Sequence, residues 1–141
     1  MNHLGQFILN HLGLWLTLIS ILILIFINES VMNRKRGKEI STAAAVNLMN
    51  HDNAVIVDLR DVETFRSGHI INAIQATEND FEKPKLQKYK DTPLILVCPK
   101  GLQSAQLATK LRTQGFNQPM VLSGGMAAWL DAGLPLVKGK G

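Results

Sequence analysis

The chain of 141 residues has a single cysteine, Cys98, so no disulfide can close within it and a cysteine-stapled secreted scaffold is excluded. There is no second thiol for a dithiol redox pair, no HExxH or spaced Cys/His set for zinc, and neither GxGxxG nor GxxxxGKS/T for a nucleotide. The four histidines, His3, His11, His51 and His69, lie far apart in sequence. Neither a metal nor a cofactor is expected. Positive charge is scarce outside one place. Of 15 Lys and Arg against 11 Asp and Glu, the group Arg34, Lys35, Arg36 and Lys38 accounts for the whole net charge of +4. A surplus confined to so short a stretch excludes a broad nucleic-acid-binding face, which needs basic side chains spread over many phosphates. With 46% apolar and 18% charged residues the chain has neither a collagen-like nor a disordered composition, and its length suits one modest domain plus an appendage.

One stretch lacks charge altogether. From Phe7 to Ile27 the sequence reads FILNHLGLWLTLISILILIFI, which as a helix spans about 32 Å, the thickness of a bilayer core. Asn10 and His11 weaken its first turn, and the strongly apolar part begins at Leu12. A cleaved signal peptide is the main competitor. The segment before the apolar run has no Lys or Arg, however, and Asn28-Glu29-Ser30 offers no small-x-small cleavage site, so the helix is read as retained. The organisation expected is a short extracytoplasmic N-terminus over residues 1–6, a transmembrane helix over 7–27, a basic juxtamembrane linker over 28–38 and a folded domain over 39–141. Orientation follows from the flanks: MNHLGQ has no Lys or Arg and RKRGK follows the apolar run, which is expected to leave the N-terminus outside and the domain in the cytoplasm. Gly13, Thr17 and Ser20 fall close to one helical face, the pattern of a small-residue contact stripe.

From Glu39 onward short β-branched runs alternate with helical stretches. Ser41 is a candidate N-cap for a helix through Asn50, and Ala54–Leu59 (AVIVDL) reads as a buried strand. Asp61 can cap a short helix to Ser67. A short strand is predicted at Ala73–Ala76, then a polar stretch broken by Pro84, then a second buried strand at Leu94–Cys98. Ser104–Gln114 is a helix by its spacing of Ala105, Leu107, Ala108 and Leu111, with Gly115 as its stop. Met120–Leu122 is a third strand and Met126–Asp131 a further helix. Such alternation predicts a parallel sheet with helices on both faces, whose ligands sit beyond the carboxyl ends of the strands. Three segments reach that edge: Asp58-Leu59-Arg60, Cys98 to Gln103, and Ser123-Gly124-Gly125.

Cys98 ends a buried strand and is followed by a loop, Pro99-Lys100-Gly101-Leu102-Gln103, and a helix opening near Ser104. Successive N–H groups can curl around the sulfur at the positive end of the helix dipole and stabilise an anion there. Gly101 suits a tight loop. On the residues alone a reactive Cys98 and a buried inert one stay open, since free cysteine is often only a small hydrophobe. A cysteine phosphatase needs a longer loop that closes with Arg on the phosphate, whereas the residue six after Cys98 is Ser104. His69 is read as bonding backbone at a turn rather than as a base. Asp58 and Arg60 can orient the loop or bind a donor, but the favoured reading is a local ion pair. Gly124 and Gly125 allow a tight turn beside the loop, and Trp129 is a core anchor.

The motifs VIVDLRDVETFRSGHIINA, LVCPKGLQSA and VLSGGMAAWLDAGLP, in this order and separation, resemble a single-domain rhodanese over nearly all of Ile40 to Val137. With the apolar helix in front, the chain is similar to the inner-membrane rhodanese-like proteins of Gram-negative bacteria known as the YibN type. The resemblance implies an α/β fold, a rhodanese-like parallel sheet flanked by helices and preceded by one transmembrane helix, in a bacterial inner membrane. It implies sulfur transfer, in which Cys98 takes sulfane sulfur from a donor such as thiosulfate, holds it as a persulfide and yields it to an acceptor. Pro99, Lys100, Gly101, Leu102, Gln103 and Ser104 would form the active-site loop, with Asp58, Arg60, Gly124 and Gly125 in support. Two residues depart from the family pattern. Pro99 has no N–H to offer, and Gln103 stands where active members often have Arg or Thr to hold the sulfonate of the donor. Loss of that cation implies poor use of thiosulfate and preference for another persulfide donor. The expected partners are a small-molecule or protein sulfur donor and acceptor, the lipid bilayer and a membrane protein, and no nucleic acid. The alternative function is a catalytically weak or inactive rhodanese-like docking module for membrane proteins.

Overall fold

A computed structural model describes residues 2–35 and 37–140, without the side chains of Asn2 and of residues 33–35. Arg36 of the basic cluster therefore lies outside the described residues, together with the side chains of Arg34 and Lys35. The chain forms two compact units, split after Lys35. The first holds α1 (Asn2–Asn10) and α2 (Leu12–Lys35), with His11 as a turn between them. Within α2 the 21-residue segment Leu12–Met32, with a mean hydropathy of 2.1, is long and apolar enough to cross a membrane by length and composition. Its start coincides with the strongly apolar residue Leu12, and Phe7–Asn10 belong to α1 instead.

The second unit is a five-stranded sheet, all parallel, in the order β1-β5-β4-β2-β3. Its strands are β1 (Lys38–Ile40), β2 (Val55–Asp58), β3 (Ile74–Gln75), β4 (Leu94–Val97) and β5 (Pro119–Leu122). The helices are α3 (Thr42–His51), α4 (Val62–Ser67), α5 (Pro84–Gln87), α6 (Leu102–Thr113) and α7 (Gly125–Asp131), with a 3-10 turn at Glu78–Glu82. Strands covered on both faces read as continuous apolar runs, and alternate residues divide between two cores. Val57, Leu96 and Val121 face one core with Phe81, Leu86, Leu107 and Leu111, while Ile56, Ile95, Val97 and Leu122 face the other with Phe65, Met126 and Trp129. The expected caps are present. The Ser41 hydroxyl accepts the Ala44 N–H at 3.2 Å, and the Asp61 carboxylate accepts that of Thr64 at 2.9 Å.

Three elements were not expected: β1, the 3-10 turn and α5. β1 lies partly inside the segment read as linker and pairs Lys38 with Met120 and Ile40 with Leu122. The polar stretch after Ala76 is also structured: Pro84 opens α5, where its missing N–H costs nothing, and Phe81 and Leu86 are buried. In the 3-10 turn Asp80 accepts from the Thr77 N–H at 2.8 Å and from Lys83 Nζ at 2.6 Å, and these bonds, Lys83 first, hold its carboxyl down to about 2. A carboxyl depressed in the folded state adds stability that is present above its unfolded value near 4 and is lost as the pH falls through about 2. A 13C titration of the Asp80 carboxyl is expected to show its midpoint near 2, with the turn loosening below pH 4. A midpoint near 4 would show that the bonds to Thr77 and Lys83 do not persist in solution.

Candidate functional site

The carboxyl ends of β2, β4 and β5 bring the expected segments to one edge of the sheet, as such sheets do. β4 ends at Val97, whose carbonyl accepts the Leu59 N–H at 2.8 Å, and Cys98 follows directly. The loop is shorter than expected. Gly101, at φ 94°, caps α6, so the helix opens at Leu102, two residues earlier than the apolar spacing suggested. The first turn of α6 thereby faces the thiol. Cys98 Sγ accepts the Gly101 N–H at 3.0 Å and the Ser104 N–H at 3.4 Å. Both donors belong to the positive end of a 12-residue helix, an arrangement that stabilises negative charge on sulfur.

The loop is held from behind by α7. Met126 N–H donates to the Cys98 carbonyl at 2.9 Å and Ala127 N–H to the Pro99 carbonyl at 3.2 Å. Neither donor was foreseen from the sequence, because a backbone N–H leaves no side-chain signal. The glycine pair that precedes them is the trace it leaves. Gly125 has φ 60°, and a Cβ there would overlap the Cys98 carbonyl oxygen and lie 2.9 Å from the amide nitrogens of Lys100 and Gly101. Pro99 is thus used as an acceptor, and its missing N–H leaves the two bonds to sulfur untouched.

Asp58 and Arg60 form the local pair favoured by the sequence. Arg60 Nη2 donates to Asp58 Oδ2 at 2.7 Å and to the Gly68 carbonyl at 2.7 Å, while Gln75 Nε2 donates to the Arg60 carbonyl at 2.9 Å. Asp58 is 1% exposed, so this pair ties β2 to the end of α4. It is absent from the sulfur's hydrogen-bond partners among the described residues. His69 is buried as well: its Nδ1 lies 2.8 Å from the Phe65 carbonyl, its ring stacks on Phe65, and its backbone pairs with Val137. Trp129 is buried, with Nε1 donating to the Pro135 carbonyl at 3.2 Å.

Lys100 and Leu102 stand exposed on the loop. Gln103 lines a groove of about 300 Å³ with Leu59, Thr77, Gln106 and Lys110, and an ion pair between Lys110 and Glu78 bridges it. Thr77, Gln106 and Lys110 were not singled out by the sequence. They are polar residues on an exposed helix face and a turn, a pattern that solvation alone explains. No cluster of three or more His, Cys, Asp or Glu able to hold a metal is present among the described residues.

Comparison with known proteins agrees with this architecture. The family model for the rhodanese-like domain matches residues 41–132. YibN of Escherichia coli K12 is 34% identical over 143 residues, covering 99% of this chain and 100% of that one. The thiosulfate sulfurtransferase GlpE of Vibrio cholerae O1 (strain M66-2) is 33% identical over 97 residues, covering 69% of this chain and 92% of its own. Among solved structures, a rhodanese-related protein from Thermoplasma volcanium superposes with a TM-score of 0.61 at 23% identity, over 71% of this chain and 97% of that one, a likeness of fold.

Proposed function

This chain belongs to the rhodanese-like family, and on that premise we propose that it is a membrane-anchored sulfurtransferase which carries sulfane sulfur as a persulfide on Cys98. The observation that carries the reading is the sulfur itself, set at the end of β4 with the Gly101 and Ser104 N–H groups of the α6 terminus pointed at it. The thiolate attacks the outer sulfur of the donor and forms an S–S bond. In thiosulfate the donor's own S–S bond breaks and sulfite leaves with the electron pair. A nucleophilic acceptor such as cyanide then attacks the outer sulfur of the persulfide, forming thiocyanate and returning the thiolate. Charge balances in each half, and no oxidant is consumed. The backbone donors hold the negative charge of the attacking thiolate without reorganising. Pro99, Lys100, Gly101, Leu102, Gln103 and Ser104 are the loop that encloses the site, and Gly124 and Gly125 support it from α7.

The apolar helix is the anchor. The flanking charges put the N-terminus outside and the domain in the cytoplasm, where reducing conditions keep the thiol free. The bilayer and a membrane protein beside it are the expected surroundings.

The test is made on the full chain in detergent, offered thiosulfate and, separately, a persulfide donor, with cyanide as acceptor. The expected result is thiocyanate formation and a mass gain of one sulfur on the Cys98 peptide. A folded, reduced chain that takes sulfur from neither donor overturns the reading in favour of a docking module. Donor preference is read in the same assay. Replacing Gln103 by arginine restores a cation beside the loop, and a hydrogen bond to a charged donor exceeds a neutral one by about 1 kcal/mol, so the KM for thiosulfate is expected to fall about fivefold. An unchanged KM in Gln103→Arg would remove position 103 from donor recognition.

A further inference from the structure

Resting on the sulfurtransferase reading, a second group in the loop acquires a role. Ser104 is 0% exposed, and its hydroxyl is the one buried side-chain polar atom without a hydrogen-bond partner among the described residues. A group in this position ordinarily finds an acceptor in the native state, because an orphaned buried hydroxyl works against folding. An alanine would fill nearly the same space with nothing left unpaired. The residue that carries it is bonded to the reacting atom through its backbone. The Ser104 amide nitrogen lies 3.4 Å from Cys98 Sγ, and within one serine the hydroxyl oxygen stands about 3 Å from its own nitrogen. Sγ already accepts from Gly101 and Ser104 N–H groups. The orphaned hydroxyl thus belongs to the same residue as one of the two donors to Sγ.

We infer that the Ser104 hydroxyl is a catalytic donor for the transferred sulfur, satisfied only when Cys98 is loaded. In the persulfide the negative charge sits on the outer sulfur, about 2.05 Å beyond Sγ, and the two backbone bonds to Sγ do not follow it there. The hydroxyl donates to that outer sulfur, a charge-assisted bond that strengthens as the charge moves outward. No proton leaves Ser104, and the bonds formed and broken are those of the sulfur exchange above. The empty thiolate form carries the unsatisfied hydroxyl, and loading relieves it, so the structure favours holding sulfur over releasing it spontaneously.

The experiment compares the full chain with Ser104→Ala after loading with a persulfide donor. Three quantities are followed: the lifetime of the Cys98 persulfide by mass spectrometry without acceptor, its dependence on pH, and kcat and KM with thiosulfate and cyanide. In Ser104→Ala the persulfide lifetime and kcat are each expected to drop about tenfold, and the pH below which sulfur is shed to rise by about one unit, with KM for thiosulfate unchanged. Thermal stability is expected to be equal or higher, since the orphan is gone. A lifetime, pH profile and kcat within twofold of wild type overturn the proposal while the wild type's own loading upholds the sulfurtransferase reading. A loss of activity accompanied by lower thermal stability and an unchanged persulfide lifetime also overturns it, as a packing effect. Wild-type protein that takes no sulfur overturns both.

Discussion

Replacing Cys98 by serine is expected to abolish thiocyanate formation from either donor, a loss of at least about a thousandfold, while the folded domain persists. A serine hydroxyl is a weak nucleophile at neutral pH, and among the described residues only backbone N–H groups, and no base, are bonded to the side chain at this position. His69 is committed to the Phe65 carbonyl and stacked on the Phe65 ring. The fold should tolerate the change. The Gly101 and Ser104 N–H groups that point at sulfur can be accepted by an oxygen, and the volume differs little, so a change in stability within about 1 kcal/mol is expected. Activity in Cys98→Ser above about one hundredth of wild type would place the nucleophile elsewhere.

Gly125→Ala is expected to damage both stability and activity without touching a side chain of the site. At φ 60° an added Cβ costs about 1 kcal/mol by conformation alone. It would further overlap the Cys98 carbonyl oxygen, which the Met126 N–H fixes at 2.9 Å, and crowd the Lys100 and Gly101 nitrogens. Backbone cannot rotate aside as a flexible side chain would. Relief requires the loop to withdraw from α7, and a displacement of about 1 Å at a reacting atom is enough to cost about a hundredfold in rate. Together with the lost bonds from α7, a destabilisation of about 3 kcal/mol and a fall in Tm of at least about 10 °C are expected, read by thermal melts and the thiocyanate assay. Gly124→Ala serves as the comparison. At φ 73° it carries the same conformational cost and its Cβ would press on the Ala128 Cβ at 2.8 Å, so it should lose stability too, but it reaches no backbone of the Cys98 loop and should lose less activity. Equal behaviour of the two variants would show that α7 does not brace the loop.

Much of this site could be read before any coordinates, for reasons that differ by residue. Strands β2, β4 and β5 announce themselves because burial on both faces makes them unbroken apolar runs. Ser41 and Asp61 are legible as caps because capping is a local bond between a side chain and an amide three residues on. β1 is not legible: in Lys38-Glu39-Ile40 only Ile40 is buried, and the strand exists because β5 offers it a ladder. The segment after Ala76 hid its two core residues, Phe81 and Leu86, among charges, and Pro84 reads equally as a breaker or as a first helical residue. At the site, the start of α6 was misplaced by two residues because apolar spacing reports the buried face of a helix and says nothing of its first turn. That turn supplies the Ser104 amide bonded to the sulfur.

Cys98 is 1% exposed. On the sulfurtransferase reading, this enclosure discriminates by size. A bulky alkylating reagent or a disulfide on a folded surface cannot approach Sγ in line, so the resting thiol is shielded from mixed disulfides and from stepwise oxidation, both of which require access. A slender donor with a terminal sulfur can reach in. A protein donor or acceptor has to present its sulfur on an extended arm, and a thiol recessed in the surface of a rigid partner would be out of range. The enclosure of the thiol thus sets a steric requirement on whatever exchanges sulfur with it.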